Sequence, residues 1–295
     1  MMIPHLIRIP VLLVAVLFGG VMLSLATAPH LPSTGAVSYN AQNEFLYLRI
    51  RDIDRHIDLP LVSTSVGSEG SWHPDGEHVS YIGGTDTGQY IEVLHVASGR
   101  VQRLLSEIDD MRWTTHAWSP DGQCLAFAMD GAVFTLCLPD ENIERITVAG
   151  FSAFVTWSPD GRSLLYTATI DGMTDLYTIE LATGTMNRLT TTGISKSAPR
   201  YMPDGEAVVY TTFFRDRSHI MHHNLITGEV KQLTSTGHSY SSTVSPDGRY
   251  IVYPEQLSPM QWELFLLHIE TGETRQITHS AISIDEFEPE WVPSP

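Results

Sequence analysis

Apolar residues fall along this chain in two rhythms. From Ile9 to Ala28 they run as IPVLLVAVLFGGVMLSLATA, without a single charge. Beyond about residue 44 they come instead in bursts of roughly five to seven β-branched, aromatic or leucine residues, bounded by Gly, Pro, Asp and Thr. Bursts of that length are too short for packed helices and too apolar for loops, so they predict strands. The punctuation itself repeats. Pro-Asp-Gly stands at Pro74, Pro120, Pro159, Pro203 and Pro246, at intervals of 46, 39, 44 and 43 residues. Each proline is preceded by two positions by a large residue (Trp72, Trp118, Trp157, Tyr201, Val244) and followed by seven by an aromatic (Tyr81, Phe127, Tyr166, Tyr210, Tyr253).

Pro presets φ at the first corner of a tight turn, Asp bonds back to the local backbone, and Gly accepts positive φ, so each Pro-Asp-Gly predicts a hairpin. Later in each unit a small-Gly pair, as in Thr183-Gly184, Thr227-Gly228 and Thr271-Gly272, predicts a second turn. A short strand ending Arg-Ile-Thr147, Arg-Leu-Thr190, Gln-Leu-Thr234 or Gln-Ile-Thr278 then closes the unit. Four short antiparallel strands every 40 to 45 residues or so are the signature of propeller blades. Five units begin at the five turns. The leftovers are Phe45–Arg51 and Asp58–Ser63 at the front and Phe287–Pro293 at the back, where Glu290-Trp291-Val292-Pro293 imitates the entry to a turn. Joined in one sheet, they make a sixth blade that closes the ring and removes the open edges. The expected fold is therefore all-β, a six-bladed propeller over residues 44–295.

The Trp-Ser-Pro-Asp-Gly boxes, the trailing Tyr and the Leu-Thr strand ends resemble the WD-repeat-like units of the TolB family, six-bladed propellers of the bacterial cell envelope. The resemblance covers residues 45–295. It implies a fold and not a chemistry, because similar blades occur in periplasmic adaptor proteins and in the propellers of prolyl oligopeptidase-type peptidases.

Ahead of the propeller, twenty uncharged residues are long enough to cross an apolar layer of about 30 Å as a helix. Ala26-Thr27-Ala28 also offers the small-x-small pattern of a cleavage site. Residues 1–28 are expected to be a signal peptide or a hydrophobic anchor helix, and 29–43, rich in Pro, Ser and Gly, a linker. Arg8 is the only Lys or Arg before Arg49, which places the propeller on the periplasmic or extracellular side.

Charge narrows the partners. Beyond residue 41 there are 16 basic and 34 acidic side chains, and the chain holds only two lysines, Lys196 and Lys231. A surface that releases counterions from phosphates needs clustered cations, so nucleic acid is excluded. Both cysteines fall in one hairpin. With Asp130-Gly131 as its two-residue turn, Cys124 lies opposite Cys137 at a non-hydrogen-bonded pair, within disulfide reach. In an exported protein that predicts a bridge.

Candidate chemistry is sparse. His219, His222 and His223 form the one dense histidine group, on a third strand with His222 and His223 facing opposite ways, and no third ligand is implied for a metal. Gly237-His238-Ser239-Tyr240-Ser241 lacks the closing Gly of a nucleophile elbow, so serine hydrolysis is not expected. No cofactor is expected, although Ca²⁺ in the central channel is compatible with the fold. The loops between second and third strands, and those between blades, emerge at one end and vary, whereas the turns at the other end repeat. The loop end is the expected binding face. It gathers Asp109, Asp110, Trp113 and His116 from one interblade loop and Lys196 from another. Phe213, Phe214 and Arg215 come from a strand-to-strand loop, His238 and Tyr240 from a third interblade loop, and Asp285 and Glu286 from the last. The resulting expectation is a noncatalytic propeller that binds a protein or peptide of the cell envelope. The alternative from another class is a metal-dependent lyase or hydrolase working on a sugar or peptide in the central channel.

Overall fold

A computed structural model describes residues 36–42, 46–52, 57–64, 70–85, 88–108, 115–138, 140, 142–147, 150–259, 261–279 and 285–293. The apolar run Ile9–Ala28 lies outside them, and among the described residues no helix is long and apolar enough to cross a membrane.

The strands follow the repeat. After β1 (Ala36–Gln42), β2 (Leu46–Asp52) and β3 (Ile57–Thr64), the first blade is β4 (Gly70–Trp72), β5 (His78–Thr85), β6 (Gly88–His95) and β7 (Arg100–Ile108). The second is β8 (His116–Trp118), β9 (Cys124–Met129), β10 (Ala132–Cys137) and β11 (Asn142–Arg145), and the third is β12 (Phe151–Trp157), β13 (Ser163–Ile170), β14 (Met173–Glu180) and β15 (Met186–Arg188). The fourth is β16 (Ser195–Tyr201), β17 (Ala207–Phe214), β18 (Arg217–Asn224) and β19 (Val230–Gln232). The fifth is β20 (Thr243–Val244), β21 (Tyr250–Ser258), β22 (Gln261–His268) and β23 (Thr274–Gln276), after which β24 (Asp285–Trp291) pairs with β1 in a terminal sheet of order β24-β1-β2-β3. The protein is an all-β propeller of five blades built from consecutive strands, plus this terminal sheet.

The terminal sheet corrects one sequence expectation. β1 occupies the stretch read as linker, because Pro and Ser just upstream masked the apolar Ala36 and Val37. Val37 stands opposite Trp291, and both pack with Val252, Leu264 and Ile277 of the fifth blade. Ala36 packs with Trp72, Val79, Tyr81 and Leu94 of the first blade.

Each recurring residue has a visible task. The glycines of the five Pro-Asp-Gly turns sit at φ between 69° and 74°, and the Asp before each accepts the amide of the residue two positions on, at 2.8–3.1 Å. The indole of the inner-strand Trp donates backward to the preceding sheet: Trp72 to Ser38 Oγ at 2.9 Å, Trp118 to Ser80 Oγ at 3.0 Å and Trp157 to the Ala117 carbonyl at 3.0 Å. The closing threonine is buried, and its hydroxyl accepts an amide from the third strand. Thr147 takes that of Val133, Thr190 that of Leu176, Thr234 that of Ile220 and Thr278 that of Leu264, at 2.8–3.0 Å. Blade faces interleave in the same regular way. Leu164 and Tyr166 of the third blade pack toward Ala126 and Val133 of the second, while Leu165 packs toward Val208 and Tyr210 of the fourth. A period of two along one strand thus serves two neighbours.

Candidate functional site

At the loop end, between the fourth and fifth blades, lies a cavity of about 420 Å³ lined by Phe213, Arg215, Asp216, Arg217, Ser218, His238, Tyr240, Gln256 and Trp262. Its walls come from three pieces of chain. The turn between β17 and β18 closes with Phe214 opposite Arg217 and puts Arg215 at φ 59°. The interblade loop is pinned on both sides. The Ser218 amide donates to the Gly237 carbonyl at 2.9 Å, the Tyr240 amide to the Pro254 carbonyl at 3.1 Å, and the Gln256 amide to the His238 carbonyl at 3.1 Å. Gly237, at φ 86°, lets the Arg217 stem lie against it, where a Cβ would come within 3.2 Å of Arg217 Cδ. The Phe213 and Tyr240 rings meet edge to face at 5.6 Å, and the Arg215 guanidinium sits over the Phe214 ring at 5.3 Å. Phe214 is 56% exposed at the rim. Beside the cavity, Ser239 pairs with Glu255. Burial raises the Glu255 carboxyl above its ordinary range, against hydrogen bonds from Thr236 and Tyr253 and the field of His238. Aromatic walls beside two guanidinium groups suit a carboxylate presented next to an apolar group.

Of the sequence-named residues, the structure brings Phe213, Arg215, His238 and Tyr240 to this cavity and Phe214 to its edge. Two others do not belong to a surface. Lys196 is 2% exposed; its ammonium donates to Asp175 Oδ1 at 2.7 Å and to the Ile194 carbonyl. Asp175 is also bonded by Arg188 and by Thr190 Oγ1. Lys196 stands not in an interblade loop but in β16, opposite Thr212; an inner strand that hides a cation needs a buried anion, and the third strand of the third blade supplies it. His116 is buried at the inner strand β8, with Nε2 2.8 Å from Ser80 Oγ. Asp285 and Glu286 lie in β24, opposite Gln42 and Ala41, and not in a loop, because β1 offers a partner strand the sequence reading had missed. Asp109, Asp110 and Trp113 lie outside the described residues.

The inner strands carry a second set of unusual residues. Phe154, Ala198 and Ser241, each five residues ahead of a Pro-Asp-Gly proline, all take positive φ (51°, 47° and 24°), and β12 and β16 are bulged there. Residues held in that region cost of order 1–3 kcal/mol each. Desolvation pushes the Glu290 carboxyl up to about 7, against the Arg200 charge and the Trp72 amide. Desolvation pulls His116 down to about 4, and Arg200 adds to that fall while the Ser80 contact opposes it.

Cys124 and Cys137 form a disulfide at facing positions of β9 and β10, with Cα atoms 4.1 Å apart. His222 and His223 lie on β18, both depressed by burial. The His/Asp group whose donor atoms do converge among the described residues is elsewhere: His73, Asp75 and His78, at the first Pro-Asp-Gly turn. Sequence reasoning passed over it because the turn explained Asp75. The available signal was His73 in place of the serine found at three sister turns.

The family model of the TolB beta propeller domain matches residues 37–294. The chain is similar to TolB from Acinetobacter baumannii, with 20% identity and a TM-score of 0.79 over 88% of this chain and 67% of that one. It is similar also to a putative TolB from Agrobacterium tumefaciens, with 19% identity and a TM-score of 0.68 over 82% and 88% of the two chains. A curated relative, dipeptidyl-peptidase 5 of Porphyromonas gingivalis, is 25% identical; the match takes in 45% of this chain and 22% of that protein's length.

Proposed function

Because the chain belongs to the TolB β-propeller domain family, we propose that it is a noncatalytic propeller of the cell envelope that binds a protein or peptide at the junction of its fourth and fifth blades. The observation that carries this reading is the cavity of about 420 Å³ in which Phe213, Arg215, His238, Tyr240 and Trp262 meet. Rigid aromatics beside arginines are the side chains that dominate protein interfaces. The disulfide is consistent with an extracytoplasmic protein, and the terminal sheet, touching the first and fifth blades, serves as the sixth blade that closes the ring. The ligand suited to these walls is a segment carrying an acidic group beside an apolar side chain.

The test is photo-cross-linking in isolated envelopes from a probe placed at Phe214, with partners identified by mass spectrometry and compared between the parent and variants also bearing Arg215→Ala or Tyr240→Ala. One partner lost from both variants supports the proposal. Equal recovery from all three removes it.

A second reading, catalysis in the central channel, draws on Glu290, a carboxyl titrating near neutrality within the field of Arg200. Under that reading Glu290→Gln abolishes turnover of a sugar or peptide substrate and leaves cross-linking at the cavity intact.

A further inference from the structure

We propose that the first Pro-Asp-Gly turn is a binding site for a divalent transition metal of the zinc class, held by His73, Asp75 and His78. The repeat provides the control. The residue before proline is Ser119, Ser158 and Ser245 in three sister turns and Met202 in the fourth. Where it is serine, its hydroxyl donates to the turn Asp at 2.6 Å and accepts the amide of the following strand at 2.9 Å. Only the first turn places an imidazole there, and only the first turn places another where the next strand begins, in a position held elsewhere by Cys124, Ser163, Ala207 and Tyr250.

The two rings converge on one oxygen. Asp75 Oδ1 keeps the turn's work, accepting the amides of Glu77 and His78. Asp75 Oδ2 is left 2.9 Å from His73 Nδ1 and 2.8 Å from His78 Nδ1, and the three donor atoms lie within 4.8 Å of one another. His73 Nε2 is 3.1 Å from the Gly122 carbonyl, which only accepts. In a neutral ring the hydrogen is therefore on Nε2, and the Nδ1 lone pair, which takes the Asp75 amide at 3.2 Å, also faces the Asp75 carboxylate. Two lone-pair atoms at that separation repel, and a cation between them relieves the repulsion. A metal-bound imidazole commonly donates its other nitrogen to a carbonyl in this way.

The cradle is held by the neighbouring blade. The His73 ring packs edge-on to Trp118 at 4.9 Å and occupies the space where a Cβ on Gly122 would lie 2.3 Å from Nε2. The ligands are half-exposed, so an ion enters from solvent and water completes its shell. Two imidazoles and one carboxylate select zinc-like ions over Ca²⁺ or Mg²⁺, which favour all-oxygen sites. His95 is not counted, since it stands outside the convergent group and its Nε2 faces Glu77 Oε2 at 3.8 Å.

The experiment titrates Zn²⁺ calorimetrically into chelator-stripped full-length protein, alongside His73→Ser, which restores the sister-turn residue, and His78→Ala, with thermal melts confirming that both fold. The expected result is one tight Zn²⁺ per parent chain and at least a tenfold loss of affinity in each variant. In parallel, Zn²⁺ shields His73 and His78 of the unaltered protein from diethyl pyrocarbonate, read by peptide mass spectrometry. Equal Zn²⁺ affinity in all three proteins, or modification of His73 and His78 unaffected by Zn²⁺, overturns the site.

Discussion

Two successive junctions in this propeller are built from the same repeat and end in opposite states. Where the third blade meets the fourth, Asp175, Arg188, Thr190 and Lys196 interlock, and the ion pair is buried, with Asp175 fully covered and Lys196 at 1% side-chain exposure. Where the fourth meets the fifth, the equivalent positions are His219, Gln232, Thr234 and Ser239. There His219 Nδ1 stands 3.0 Å from the Thr234 carbonyl, Gln232 donates to that carbonyl at 2.7 Å, and no charged side chain crosses between the blades at these positions. The threonine clasp survives at both. Only the charges differ, and the junction without them opens into the aromatic cavity. The scaffold residues fix where a junction lies, and a handful of substitutions decide whether it is a lock or a site.

Four interventions test that contrast. Removing Phe287–Pro295 takes away most of β24 and should erase both junctions together, by leaving β1 and the inner strands β20 and β4 without the neighbour they touch. Differential scanning calorimetry should show no cooperative transition, and a sharp melt at the parent temperature would refute the role given to the terminal sheet. Asp175→Ala strands the Lys196 ammonium in a buried site, and chemical denaturation should register a loss of about 3–5 kcal/mol. Arg215→Ala at the open junction should stay within about 0.5 kcal/mol in the same assay, and comparable losses at both would dissolve the distinction. Glu290→Gln should separate the terminal sheet from either junction. A carboxyl raised from 4.5 to about 7 stabilises the fold fully below its unfolded value, and that contribution is lost as pH rises through 7. The variant should therefore gain on the parent by about 2–3 kcal/mol between pH 4.5 and 7.5. His116, held down at about 4, works the opposite way, contributing stability above 6.5 that is lost as pH falls. The parent profile is then flatter than the variant's, and a variant-minus-parent difference independent of pH would place Glu290 in solvent.

What the sequence disclosed was local. Pro-Asp-Gly, the trailing aromatic and the closing threonine act within a blade or against the next one, so their spacing announced the fold, and the Asp130-Gly131 turn was enough to pair Cys124 with Cys137. What it withheld depended on distant partners. β1 could not be seen because its seven residues draw their meaning from Trp291 and the fifth blade. Lys196 looked like a surface cation because the Asp175 that buries it lies 21 positions away, on a strand whose facing is set by the whole stack. Phe213, Arg215, His238 and Tyr240 were singled out for lying in the variable loops of one end. Comparison of sister turns at the other end, applied to His73 and His78, would have marked the first turn.

The pairing of β1 with β24 has a consequence for the order of events in the life of the chain. Val37 and Trp291 face each other across the same ladder, so one is made long before the other, with five blades of chain between them. Until then the β1 backbone groups that face β24 have no native partner, and contacts of such long sequence separation form slowly. The nascent molecule must carry an unsatisfied seam while all five intervening blades are made, and a chaperone that shields that seam would act on β1 while β24 is still to come.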